Sequence, residues 1–193
     1  MLEPTYAVAA QRPLRTARLT LRPYEASDLG FLSDMFGRDD VCRYLPWAPM
    51  DLEQARAKVE QRVQQTRIDP ERKALVLAAV DAATGRQIGE VMLRRESAEN
   101  GQGEVGWSFH PDFQGHGFAT EASREMLRVG FEELALHRIM AECDPRNGAS
   151  IRVMEKLGMR REALFIDSWF LKGEWVSSAT YAILESEWRG SRG

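Results

Sequence analysis

The stretch Glu104-Val105-Gly106-Trp107-Ser108-Phe109-His110-Pro111-Asp112-Phe113-Gln114-Gly115-His116-Gly117-Phe118-Ala119-Thr120-Glu121-Ala122 changes its periodicity partway along. From Glu104 to Phe109 the period is two: Val105, Trp107 and Phe109 share one face and Glu104, Gly106 and Ser108 the other, which is a sheet strand. From Gly117 onward Phe118, Ala122, Met126 and Val129 recur at helical spacing, and Phe131 and Leu134 finish that apolar stripe. A strand therefore feeds a helix through Gln114-Gly115-His116-Gly117, where glycine permits positive φ and a close approach of backbone to a ligand. The first amides of such a helix have no internal acceptor, and their dipoles favour an anion. A pyrophosphate cradle and a plain tight turn both satisfy this spacing.

Working outward, Arg18-Leu19-Thr20-Leu21-Arg22-Pro23 alternates as a first strand ended by proline. Leu29, Leu32 and Phe36 mark a short helix over 26–36. Pro46 and Pro49 interrupt regular structure, and Asp51 caps a weakly amphipathic, charge-rich surface helix reaching about Arg67. The apolar run 74–80, the turn 81–85 and the strand 87–94 form a hairpin, followed by a polar loop from Glu96 to Gly103. Beyond the central helix come a strand at 138–144, a helix from about Ala149 to Leu157 stopped by Gly158, and two antiparallel strands, 160–169 and 175–184, around Leu171-Lys172-Gly173. Helices inserted among hairpin-linked strands predict a mixed α/β sheet covered on both faces, in one domain over 1–193 with its core at about 18–188.

Composition narrows the function. A net charge of -3 and scattered arginines give no basic face or stacking ladder for nucleic acid. Two distant cysteines, Cys42 and Cys143, argue for reduced thiols. Neither a secretory pattern nor an apolar run of membrane-spanning length is present, so the cytoplasm is expected and a membrane partner is not. Three histidines, at 110, 116 and 137, make no convincing metal set with those cysteines. The Walker Gly-x-x-x-x-Gly-Lys-Ser/Thr pattern and the three-glycine dinucleotide fingerprint are both absent.

The ordered set of motifs resembles the GCN5-related N-acetyltransferase (GNAT) superfamily, and most of all its ribosomal-protein-alanine acetyltransferase branch. The superfamily's Gln/Arg-x-x-Gly-x-Gly/Ala signature falls on Gln114, Gly117 and Ala119. Asn147-Gly148-Ala149-Ser150 … Glu155-Lys156-Leu157-Gly158-Met159 and Gly173-Glu174-Trp175-Val176 … Glu187-Trp188 are similar to later segments of that branch, so the resemblance runs from about Arg18 to Trp188. It implies a mostly antiparallel twisted sheet in which strand four, here 104–109, splays from strand five, here 138–144. It also implies acetyl-CoA as acyl donor and a primary amine as acceptor. The pantetheine arm would run along Trp107, Ser108 and Phe109. The pyrophosphate would meet Gln114, Gly115, His116, Gly117, Phe118, Ala119 and Thr120, with Asn147 and Ser150 nearby; those two also suit a helix cap, and His116 also suits a solvated turn.

Amide formation needs a base, because a neutral-pH amine is mostly protonated. Glu104 at the start of the splayed strand is the first candidate, Glu142 the second, and Glu90 a weaker third. A strand-four backbone N–H would stabilise the developing oxyanion. Many relatives place a tyrosine acid where this chain has Met154, and an aspartate where it has Ser177, so neither group is available here. Tyr24, Tyr44, Trp47 and Trp169 either edge an acceptor mouth or serve as packing. A peptide N-terminus is the leading acceptor, ahead of a small-molecule amine; a non-catalytic acyl-CoA-binding module is a separate reading. The branch often pairs through its sheet edge or C-terminal strands, so a homodimer is also implied.

Overall fold

In the computed structural model, which describes residues 8–9, 13–71 and 73–190, three strands come first: β1 (Val8–Ala9), β2 (Leu14–Arg15) and β3 (Leu19–Pro23). A 3-10 turn at Ala26–Asp28 opens α1 (Leu29–Phe36), and α2 (Asp39–Cys42) is a single turn. At the start of α3 (Leu52–Gln64) the Gln54 amide donates to Asp51 Oδ1 at 2.8 Å and the Asp51 amide to Gln54 Oε1 at 3.0 Å, a reciprocal capping box. The strands β4 (Arg67–Ile68), β5 (Ala74–Asp81), β6 (Gln87–Ser97) and β7 (Gln102–Phe109) follow. Then α4 (Phe118–Arg128) runs into a π-turn at Val129–Glu133, and the chain continues through β8 (Arg138–Cys143), α5 (Gly148–Lys156), β9 (Arg160–Leu171), β10 (Glu174–Leu184) and α6 (Glu185–Gly190).

One sheet runs in the order β2-β3-β5-β6-β7-β8-β10-β9, and β1 pairs separately with β4. Its neighbours are antiparallel except β7 and β8, which are parallel and therefore need the α4 crossover between them. On β5, Leu75, Leu77 and Ala79 enter the core under α4 and α5, whereas Val76 and Ala78 enter a second core under α1 and α3. Burial on both faces explains why this strand reads as a continuous apolar run.

Three boundaries differ from the sequence reading. The expected loop 96–103 shrinks to a turn at 98–101, since β6 continues to Ser97 and β7 begins at Gln102; its polar side chains hid the pairing. The turn α2 precedes the proline-rich segment and carried no apolar period. Helix α3 ends at Gln64, because Arg67 already belongs to β4.

A buried ionic cluster ties α3 to the sheet. Arg62 donates to Glu90 at 2.7 Å (Nη2 to Oε1) and 3.1 Å (Nε to Oε2), and the Tyr24 hydroxyl donates to Oε2 at 2.9 Å. Burial, with the Glu90 charge beside it, holds the Tyr24 phenol well above its ordinary pKa, so it stays a donor. Glu90→Ala would leave a buried guanidinium uncompensated and is expected to cost about 3–5 kcal/mol. Tyr24→Phe removes one hydrogen bond and is expected to cost about 1–2 kcal/mol. Urea unfolding midpoints of the two variants check the order.

Candidate active site

The site originates in a short strand pairing. β7 and β8 share only the positions Gln102↔Arg138, Gly103↔Ile139 and Glu104↔Met140. Beyond Glu104, β7 stays with β6 as far as Phe109↔Gly89, and β8 stays with β10 as far as Cys143↔Ala179. The two strands diverge, leaving the β8-facing edge of β7 without a ladder from Val105 to Phe109. Such an edge is a template for an extended amide-bearing ligand.

A cavity of about 300 Å³ lies against that edge. β7 contributes Trp107, Ser108 and Phe109, and the turn contributes Gln114, Gly115 and Gly117. The first turn of α4 adds Phe118, Ala119 and Thr120, and the start of α5 adds Asn147 and Ser150. Gly115 and Gly117 have φ of 79° and 82°, left-handed values that favour glycine. The Gln114 amide group donates to Phe109 O at 3.0 Å, fastening the turn to the strand end. Asn147 Oδ1 accepts from the Ser150 amide at 3.1 Å, so this asparagine caps α5 while lining the cavity. His116 is the exception among the twelve expected residues: its side chain is exposed and off the wall, and its carbonyl accepts from Arg18 Nη1 at 2.9 Å.

Sequence reasoning missed Arg152 and Lys156, which line the same cavity. They stand four residues apart on α5, a spacing that puts two cations on one helix face and was legible once that helix was placed. Free helix amides, two left-handed glycines and two cations on one wall fit a diphosphate.

A second cavity, of about 260 Å³, shares Tyr44 and Leu45 with the first. Its wall includes Glu142, Cys143 and Asp144 of β8, Trp169 and Leu171 of β9, and Glu174, Ser177 and Ser178 of β10. Glu142 is exposed and accepts from the Thr180 hydroxyl at 3.1 Å. Glu104 lies on the same sheet face but on neither cavity wall, and its carboxylate is paired with Arg94 on the neighbouring strand. Burial raises its pKa despite that partner. Glu90 is enclosed by Arg62 and Tyr24.

Of the four aromatic candidates, Tyr44 and Trp169 line the second cavity. Tyr24 and Trp47 line neither: Tyr24 is core with its hydroxyl on Glu90, and Trp47 packs edge-on against Phe36, 5.8 Å between ring centres, with Lys58 over its face. Tyr24 is thus taken by the core, and the half-buried Trp47 ring is engaged by Phe36 on its edge and Lys58 on its face. Met154 is fully buried core, and Ser177 is engaged with β9: its Oγ accepts from the Asp167 amide at 3.0 Å at a bulge where Asp167 has φ 47°.

A parallel strand pair that parts beside a helix N-terminus, with one cavity on each side of the gap, defines an acyl-transfer site of a mixed α/β sheet. Residues 18–160 match the model of the acetyltransferase (GNAT) domain, and the chain belongs to the GNAT family. It is 35% identical over 175 residues to the N-acetyltransferase YnaD of Bacillus subtilis, covering 91% of this chain and 98% of that one. A GNAT-family acetyltransferase structure from Bacillus anthracis superposes with a TM-score of 0.80 at 32% identity, over 91% of this chain and 100% of that one. The spermidine N-acetyltransferase of Vibrio cholerae, solved with CoA and spermine, shares the fold at a TM-score of 0.76 and 22% identity, over 90% of this chain and 99% of that one. The protein is an acetyl-CoA-dependent N-acetyltransferase that acts on amines.

Two variants probe the first cavity by calorimetric titration. Arg152→Met combined with Lys156→Met is expected to weaken CoA binding about tenfold or more while leaving pantetheine, which lacks the diphosphate, unaffected. Gly117→Ala forces a Cβ into the left-handed region at a cost of about 1–2 kcal/mol and is expected to weaken CoA in the same sense.

Proposed function

We propose that the enzyme acetylates the N-terminal α-amine of a protein or peptide by direct attack on the thioester, with Glu142 as base. The observation that carries this reading is the junction of the two cavities at Tyr44 and Leu45, with Glu142 on the acceptor side. Acetyl-CoA supplies the activated acetyl carbonyl. The β7 edge from Val105 to Phe109 orients the arm through its backbone, and the same amides face the position where carbonyl charge develops. Arg152, Lys156 and the Gly115–Thr120 turn hold the diphosphate. Glu142 receives the ammonium proton, directly or through water, and Thr180, its cross-strand neighbour on β10, holds one carboxylate oxygen in place. Glu104, two residues behind on the facing strand and neutralised by Arg94, is the second candidate.

A covalent route through Cys143 is disfavoured. Its thiol lines the acceptor cavity, but burial, with Asp144 and Glu142 alongside, pushes its pKa up to about 11, so it is not a thiolate at neutral pH.

The acceptor wall also favours a single amine on a chain over a polyamine. Its carboxylates Glu142, Asp144 and Glu174 are matched by Arg43, Arg146 and Lys172, and Arg146 pairs with Asp144 at 2.6 Å and Glu174 at 3.0 Å. A balanced wall gives a second positive charge no extra purchase. The rim is open as well, with Arg43, Arg146 and Glu174 all exposed, which suits an extended peptide leaving the cavity.

The same reading includes a homodimer, supported by β9. This 12-residue edge strand exposes Leu164, Phe165, Ile166, Trp169 and Phe170, and Trp175 of β10 adds to them. Successive β9 side chains point to opposite faces, so a second copy pairing along this edge would cover apolar groups on both sides of the strand. Two free cysteines accord with a reducing cytoplasm as its location.

With purified enzyme, CoA release on peptides with a free α-amine is expected to disappear when that amine is blocked. Turnover confined to small amines would reassign the acceptor. Glu142→Gln is expected to lower kcat by about 10²-fold or more, whereas Cys143→Ala stays within threefold; the reverse pattern would move the mechanism to an acyl-cysteine. Light scattering is expected to give a dimer mass that Phe165→Asp with Trp169→Asp reduces to a monomer.

A further inference from the structure

The turn joining β9 to β10 is two residues long, Lys172-Gly173, between the paired Leu171 and Glu174. Both turn residues have positive φ, 51° and 88°. A two-residue hairpin of this hand takes Asn-Gly or Gly-Gly readily and a long unbranched side chain at its first position poorly. The lysine that occupies this unfavourable position spends its ammonium on another part of the chain: Nζ donates to Cys42 O at 2.7 Å and to Arg43 O at 3.0 Å, across about 130 residues of sequence. Those carbonyls end α2 and begin the segment Arg43-Tyr44-Leu45-Pro46, which forms one wall of the acceptor cavity and has no regular structure. The opposite wall is the hairpin itself, through Trp169, Leu171 and Glu174.

We propose that Lys172 is a positioning and specificity-determining residue: it latches the 43–46 segment to the β9–β10 turn, and so fixes Tyr44 at the boundary between the cofactor and acceptor cavities. Cys42 O also accepts from the Leu45 amide at 3.1 Å, so the ammonium caps a turn whose carbonyls otherwise point toward the hairpin. Tyr44, with the Arg43 guanidinium 5.3 Å from its ring centre, moves with that turn. Releasing the latch widens the acceptor cavity and leaves the diphosphate turn, on the far side of the sheet gap, in place. Tyr44 and Leu45 also border the cofactor cavity, so the loss of Lys172 falls first on amine recognition and only weakly on acetyl-CoA recognition.

The inference rests on assigning the second cavity to the amine, so its test has one readout that needs no acceptor. Lys172→Asn is the informative variant, because Asn-Gly suits the turn better than Lys-Gly while it cannot reach Cys42 O. The expected result is a melting temperature equal to or above that of the parent. Backbone amides of 41–47 should exchange with deuterium at least tenfold faster, KM for the amine should rise about tenfold, and KM for acetyl-CoA should stay within twofold. Lys172→Arg, which keeps the donor, should restore most of the protection and of the amine KM. Unchanged exchange in Lys172→Asn overturns the latch, and faster exchange with unchanged amine KM overturns its role in specificity. Should the parent enzyme turn over no amine at all, the functional reading fails on that ground, and the exchange experiment still decides the latch.

Discussion

The site depends on how briefly β7 and β8 hold together. Three register positions, ending at Glu104↔Met140, are enough to make one sheet of two halves, and few enough to let the halves part. Parting is enforced from outside the gap. β7 is committed to β6 as far as Phe109, and β8 is committed to β10 as far as Cys143, so each strand keeps the twist of its own half. The parallel direction adds the second ingredient. Two parallel neighbours need a crossover, and here the crossover helix α4 begins just past the end of β7. A bare strand edge and a free helix N-terminus thus arise together, as two consequences of one topological choice.

On the other side of the gap, the acceptor wall is built for orientation more than attraction. Arg146 binds Asp144 and Glu174 together, which lowers the Asp144 pKa and leaves two fewer bare carboxylates for a cationic ligand. Arg146 and Glu174 are exposed even though the Asp144 side chain is not, so the pairing contributes little to stability; its effect is on the field inside the cavity. The closing strand follows the same logic. Where relatives carry a carboxylate, Ser177 instead takes the Asp167 amide at a bulge, and the hairpin is held by a neutral contact.

The half of the site that lies in one stretch of sequence was legible there. The period change at Gly117 marked the strand, the turn and the helix together, and eleven of the twelve residues expected around the cofactor line one cavity. His116 takes the solvated-turn alternative, because a turn places alternate side chains outward while its carbonyls and amides do the contacting. The acceptor half was less legible because it assembles β8, β9, β10 and the segment after α2 from four separate parts of the chain. Tyr24 and Trp47 illustrate the difficulty, since an aromatic near a proline-rich loop looks the same in sequence whether it faces a mouth or a core. Glu104 and Glu142 share a face, which follows from the register Glu104↔Met140. That Arg94 claims the first and leaves the second to the cavity is a matter of cross-strand register, which period alone does not fix.

The chemistry can also be weighed by what must be protonated and what need not be. A thiol ionises near pH 8.5, so at neutral pH the departing sulfur gains only about 2 kcal/mol from a proton. A site in which the usual acid position holds the buried Met154 loses little by lacking that donor. The amine is the harder partner. A lysine-like or polyamine nitrogen holds its proton to about pH 10.4, an α-amine only to about 7.7–8.0, a difference of roughly 3.5 kcal/mol in the work of reaching the reactive form. With Asp144 and Glu174 taken by Arg146 and Met154 at the usual acid position, the proposed site is better matched to the amine that gives up its proton easily. In the proposed reading the proton balance and the wall's charge balance act in the same direction, because Arg146 already occupies two of the three carboxylates and Glu142 alone is left for the amine.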